Sequence, residues 1–82
     1  MISITVLFFA NLRDATGERR IILEIPSDIT VSNLKEMLLK NYPDLDQYMP
    51  AVIVSVNHEF AGNDSKIPQN AEVAIFPPVS GG

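Results

Sequence analysis

The sequence predicts an α+β domain in which one amphipathic helix covers one face of a mixed β-sheet. Alternating apolar runs open and close the chain, ISITVLFF near the start and AEVAIF near the end. Such alternation marks a strand with one buried face. Between them, PSDITVSNLKEMLLKNYP carries apolar residues at helical spacing. A length of 82 residues allows one core and leaves no room for a second. One helix laid on one sheet is the economical way to bury both apolar surfaces.

In the first strand Ile2, Ile4, Val6 and Phe8 fall on one face, and Ser3, Thr5, Leu7 and Phe9 on the other. ANLRDATG follows as a short helical or turn segment ended by Gly17. RRIILEI is a second strand, stopped by Pro26. A separation of about eight residues predicts an antiparallel hairpin with a connection longer than a tight turn. In PSDITVSNLKEMLLKNYP, Thr30 is placed to cap the helix and Val31 to open its first turn. Val31, Leu34 and Leu38 form the core-facing stripe, flanked by Met37, while Lys35, Glu36 and Lys40 face solvent and Pro43 ends the helix.

AVIVSVN is a third strand, with Val52, Val54 and Val56 on one face. The polar stretch from His58 to Asn70 has room for a small strand at most. AEVAIF is the last strand, and Pro77-Pro78 then forbids further ladder bonds. The order β-β-α-β-(β)-β matches the β-grasp, or ubiquitin-like, fold. That likeness, and not periodicity, places the first and last strands side by side and parallel at the sheet centre. The domain is expected over residues 1–76, with 77–82 as an extended C-terminal tail.

Composition removes several function classes. The absence of cysteine excludes a disulfide, a thiolate nucleophile, a zinc finger and an iron–sulfur site. With His58 the single histidine, no common metal site is expected. A net charge of −4 argues against nucleic acid, whose phosphates need clustered Lys and Arg. The basic residues are scattered along the chain, with Arg19-Arg20 the one adjacent pair. MISITVLFFA lacks a positive leader and is interrupted by Ser3 and Thr5, so it does not read as a signal peptide. No stretch approaches membrane-spanning length. A cytoplasmic protein with neither a membrane nor a nucleic-acid partner is the expectation.

A single helix covers a single face. If Ile4, Val6, Phe8, Val73 and Ile75 point inward, then Thr5, Leu7, Phe9, Ala74 and Phe76 point outward, joined by Ile53. Leu7, Phe9, Ile53 and Phe76 would then form a contiguous apolar patch, the kind of surface that docks a partner. The alternative is that a loop such as Asn41–Pro50 folds over it. The tail leaves the edge of this patch. Pro77-Pro78 stiffens its base, and Val79 to Gly82 reach about 13 Å further at roughly 3.3 Å per residue. Without Cβ atoms, Gly81 and Gly82 could pass through a narrow channel on a partner. The reactive group at the tip is the α-carboxylate of Gly82, a poor electrophile until activated. No P-loop or Gly-rich cradle is present, so ATP-dependent adenylation would fall to a second protein. Adenylated Gly82 could then accept an amine, giving an isopeptide, or sulfur, giving a thiocarboxylate.

VLFFANLRDATG and EVAIFPPVSGG resemble the small, sulfur-carrying subunit of molybdopterin synthase over nearly the whole chain. Phe76-Pro77-Pro78-Val79-Ser80-Gly81-Gly82 is the most specific part; the double proline distinguishes it from the shorter thiamine sulfur carriers. Asp14, where glutamate is commoner, and Ile75, where a second aromatic often sits, are the departures. The resemblance implies an adenylating enzyme that uses ATP and Mg2+ to activate Gly82, and a sulfurtransferase that supplies the sulfur. It implies a large subunit that receives the tail, provides acid–base groups and forms a heterotetramer with the carrier. The sulfur acceptor would be a cyclic pyranopterin phosphate precursor, converted to a dithiolene. On this reading Gly82 is the covalent site and Gly81 gives clearance. Pro77, Pro78, Val79 and Ser80 contact the channel, and Phe76, Phe9, Leu7 and Ile53 anchor the docking. Arg13 matches an arginine that follows the family's first strand, and is either a partner contact or a solvated turn residue. No cofactor is expected on this chain.

Three other readings stay open: a ubiquitin-like modifier joined to lysines through Gly82, a sulfur carrier for thiamine or cysteine synthesis, and a purely structural binding module. His58-Glu59 reads as a solvated turn rather than a general base. Asp44 and Asp46 have no reason to converge, and the Met37-Leu38-Leu39 run reads as core helix.

Overall fold

The computed structural model describes residues 1–78. Strand β1 (Ile2–Phe8) and strand β2 (Arg20–Ile25) pair antiparallel, from Ile2 opposite Ile25 to Leu7 opposite Arg20. Phe9 was expected to close the first strand but falls just outside it. There the chain makes a tight turn, in which the Leu12 N–H donates to the Phe9 carbonyl at 3.1 Å. Ala10 takes φ 52° and ψ −131° in that turn, a conformation that glycine adopts far more easily. Helix α1 (Asn11–Thr16) follows and stops on Gly17 at φ 74°, whose N–H returns to the Arg13 carbonyl at 2.7 Å.

Helix α2 (Val31–Asn41) begins as the sequence predicts. The Thr30 hydroxyl accepts from the Asn33 N–H at 3.3 Å, and the Asn33 side-chain oxygen accepts from the Thr30 N–H at 3.1 Å. This reciprocal box satisfies two amides that the helix itself cannot. Val31, Leu34 and Leu38 are buried and Met37 is half-buried beside them. At its far end Phe8 meets Tyr42 edge-on, with ring centres 5.9 Å apart.

The segment after α2 forms two 3-10 turns, Pro43–Gln47 and Met49–Ala51, that pack beside α1 and α2 and send Leu45 and Met49 into the core. It therefore lies on the helical side, and the alternative in which it folds over the open face does not occur. These turns also take the first residues of the expected third strand, so β3 runs only from Ile53 to Val56. Strand β4 (Glu59–Ala61) is the small strand expected in the polar stretch. Asn57 and His58, at φ 51° and 71°, make the two-residue turn between β3 and β4. Ile67 is buried from the loop that follows, and its N–H donates to the Ile29 carbonyl at 3.1 Å.

Strand β5 (Glu72–Phe76) inserts at the middle. Among the described residues the sheet has the order β2-β1-β5-β3-β4, with β5 parallel to β1 and antiparallel to β3. Ile4, Val6, Phe8, Val54, Val73 and Ile75 form the floor of the core.

Candidate functional site

The face of the sheet away from α2 is built in cross-strand rows. One row runs Arg20, Leu7, Ala74, Ser55, Phe60 across the five strands. Ala74 and Ser55 are small and each only 8% exposed, so the middle of the row is low. The next row sets Phe76 opposite Ile53. Phe9 continues the alternation of β1 past its end, its N–H donating to the Ile75 carbonyl at 3.3 Å. The turn at Ala10 leaves the Phe9 ring stacked on Phe76, with centres 4.6 Å apart and planes 17° from parallel.

These residues enclose a groove of about 430 Å³ lined by Phe9, Ala10, Ile53, Phe60, Phe76, Pro77 and Pro78. None of these residues carries a titratable side chain, so the surface they present is apolar. Phe60 stands at its side 82% exposed, an isolated cost that contact with a partner would remove. The sequence reading missed this residue. It is the only aromatic between Asn57 and Lys66, and that was its signal.

Of the expected anchors, Phe9, Ile53 and Phe76 come together. Leu7 is displaced from them into a neighbouring hollow of about 260 Å³, which it shares with Phe8, Phe9, Arg13, Arg19 and Arg20. The patch is thus a groove plus a hollow that share Phe9, rather than one flat surface. Arg13 is half-buried there. The arginines that look scattered in sequence are gathered by the turn through α1. Among the described residues the salt bridge is Lys66 with Asp28 at 2.7 Å, and the His58 ring lies 3.4 Å from the Glu72 carboxylate, so none of the three arginines is engaged.

Pro77 and Pro78 line the groove, which puts the base of the tail at its rim. The roles expected for Val79, Ser80, Gly81 and Gly82 lie outside the described residues. His58 is exposed at its turn, and Asp44 and Asp46 are exposed in the first 3-10 turn. Among the described residues, no three His, Cys, Asp or Glu side chains gather as metal ligands, and no helix is long and apolar enough to cross a membrane.

A central β5 beside a parallel β1, one helix beneath, and an aromatic groove at the exit of β5 define a ubiquitin-like β-grasp domain. The model of the ThiS family matches residues 6–82. The molybdopterin synthase sulfur carrier subunit of Arabidopsis thaliana is 32% identical over 99% of this chain and 84% of its own length. That of Dictyostelium discoideum is 36% identical over 94% and 93%. The chain belongs to the ThiS family and, within it, to the molybdopterin synthase sulfur carrier subunits. SAMP1 from Haloferax volcanii, a small archaeal modifier protein, superposes with a TM-score of 0.84 at 29% identity, over 98% of this chain and 99% of that one. A chain of the complex of subunits 1 and 2 of molybdopterin-converting factor from Helicobacter pylori has the same fold, with a TM-score of 0.68 at 16% identity over 99% and 100%.

Proposed function

We propose that this chain carries sulfur as a thiocarboxylate on Gly82 and delivers it, as the small subunit of molybdopterin synthase, to a cyclic pyranopterin phosphate precursor. The carrying observation is the aromatic groove whose rim is the base of the tail, Phe76-Pro77-Pro78. A large subunit seated on Phe9, Ile53, Phe60 and Phe76 receives the tail from a fixed starting point, and the two terminal glycines thread where a side chain would jam. The relatives' names and the two-subunit complex of the H. pylori neighbour support the same partner.

The chemistry begins on another protein. In an adenylating enzyme using ATP and Mg2+, a carboxylate oxygen of Gly82 attacks the α-phosphorus and pyrophosphate leaves. The outer sulfur of a sulfurtransferase persulfide then displaces AMP, and a thiol cleaves the resulting acyl disulfide to leave the thiocarboxylate. The carrier presents the sulfur within a cytoplasmic heterotetramer, and the large subunit supplies the acid–base groups. Residues 1–76 form the docking domain and 77–82 the delivery arm.

Intact mass of the protein from its native host, with the Gly82 peptide fragmented, tests this reading. Replacement of one terminal oxygen by sulfur, and loss of that sulfur on incubation with the large subunit and precursor, is the expected result. Deleting Gly81-Gly82 abolishes the transfer while leaving the melting temperature unchanged. The likeness to a small archaeal modifier protein favours one second reading, conjugation to lysines. Gly82 found only in isopeptides would establish that reading and overturn the first. A sulfur-bearing form whose acceptor is a thiamine or cysteine precursor would keep the carrier and change its pathway.

A further inference from the structure

Among the described residues the two edges of the sheet differ. The edge strand β4 has three residues and the edge strand β2 has six. Along β1 the N–H groups of Thr5 and Phe9 donate away from β2, to Ala71 and Ile75, whereas the Phe8 N–H donates to the Arg19 carbonyl at 2.9 Å. By the alternation of an antiparallel ladder, Ile21, Leu23 and Ile25 turn their backbone groups toward β1, and Arg20, Ile22 and Glu24 turn theirs outward. No backbone hydrogen bond among the described residues reaches this outer row. Its side chains lie on the open face, opposite Leu7, Thr5 and Ser3, and Ile22 is 69% exposed.

Natural edge strands are commonly blunted by lysines, prolines or bulges. Here the two charges are opposite in sign and equally spaced about the central isoleucine, a pattern that complements itself. We infer that β2 pairs antiparallel with β2 of a second copy of this chain, about a two-fold axis through Ile22. In that register Ile22 meets Ile22 of the second copy, and Arg20 and Glu24 each meet the opposite charge. All three pairings fall at hydrogen-bonded positions, where each pair exchanges two backbone bonds. On the helical face half-buried Ile21 meets half-buried Leu23 of the second copy, so apolar surface is covered on that side too. A parallel arrangement is disfavoured, because it sets Arg20 against Arg20 and Glu24 against Glu24. Pro26, with no N–H, bounds the ladder just beyond Ile25. The product is a continuous sheet with both open faces on one side and the two β5 strands running in opposite directions. The groove, separated from β2 by β1, stays available on each copy.

Sedimentation equilibrium of the full chain, with R20E and E24R, tests this interface. The wild type is expected to dimerise reversibly, and each variant to associate roughly tenfold more weakly, because both charge pairs become repulsive. An equimolar mixture of the two variants recovers wild-type association, since an all-acidic edge then faces an all-basic one; misfolded variants cannot produce that recovery. A wild type that stays monomeric at millimolar concentration overturns the proposal. So does a dimer equally strong in R20E and E24R, or one lost in Phe60→Ser with both charge variants unaffected, which assigns the contact to the groove.

Discussion

Val73 and Ile75 lie sealed in the core with Leu34 and Leu38, while Ala74 and Phe76, each one residue further along the same strand, belong to the open face. The two faces of β5 share a backbone, a register and a neighbourhood, yet their side chains answer to different requirements. On the helical side the large residues Phe8, Leu34, Leu38 and Ile75 are buried within the chain. On the other side the middle is small, with Ala74 beside Ser55, and the large rings stand at the margins. A row that is low in the centre and high at its flanks is poor packing for an isolated domain and good shape for receiving another surface. The stability of the fold is therefore concentrated on one side of β5, and its capacity for recognition on the other.

Four substitutions probe that division. Leu38→Ala, in the fully buried stripe of α2, is expected to destabilise by about 3 kcal/mol through lost burial and a residual cavity; urea denaturation reads it directly. Phe60→Ala, on the open face, is expected to change stability by less than about 0.5 kcal/mol. It should weaken binding to the large subunit of the host's synthase by about 2 kcal/mol, roughly thirtyfold, in a calorimetric titration. A large loss of stability in Phe60→Ala, or unchanged affinity, would erase the distinction between the faces. Thr30→Ala removes the cap of α2 and is expected to cost about 1 kcal/mol, seen as a fall of roughly 4–8 °C in melting temperature with partner affinity intact. Ala10→Gly sharpens the comparison at its boundary. It relieves a backbone conformation worth about 1–3 kcal/mol and gives back part of that as chain entropy, for a net gain of about 0.5–1 kcal/mol in the same melt.

Periodic elements were legible and irregular ones were not. The stripe of Val31, Leu34 and Leu38 follows from spacing, because a helix repeats at a fixed interval; the Thr30 cap follows from its side chain, and the outward set of Phe9, Ile53 and Phe76 from strand alternation once one helix is laid on one face. Leu45, Met49 and Ile67 reach the core from 3-10 turns and a loop, where no period announces burial. Phe60 was hidden in a polar stretch; its place depends on the Asn57-His58 turn, which sets Phe60 opposite Ser55. The gathering of Arg13, Arg19 and Arg20 required the chain to reverse through α1, which a linear reading of charge cannot see. The parallel contact of β1 with β5 came from family likeness, since local pattern says nothing about which distant strands meet.

That parallel contact has a mechanical side. β5 is held along both margins, by β1 from Thr5–Glu72 to Phe8–Ile75 and by β3 from Val56–Val73 to Ile53–Phe76. A pull applied beyond Pro78 runs along the strand axis, perpendicular to those ladders. Every bond is then loaded in shear at once, instead of peeling open from one end. A load along that axis therefore meets both ladders together. Paired on both sides, the last strand has no free edge from which to detach by itself.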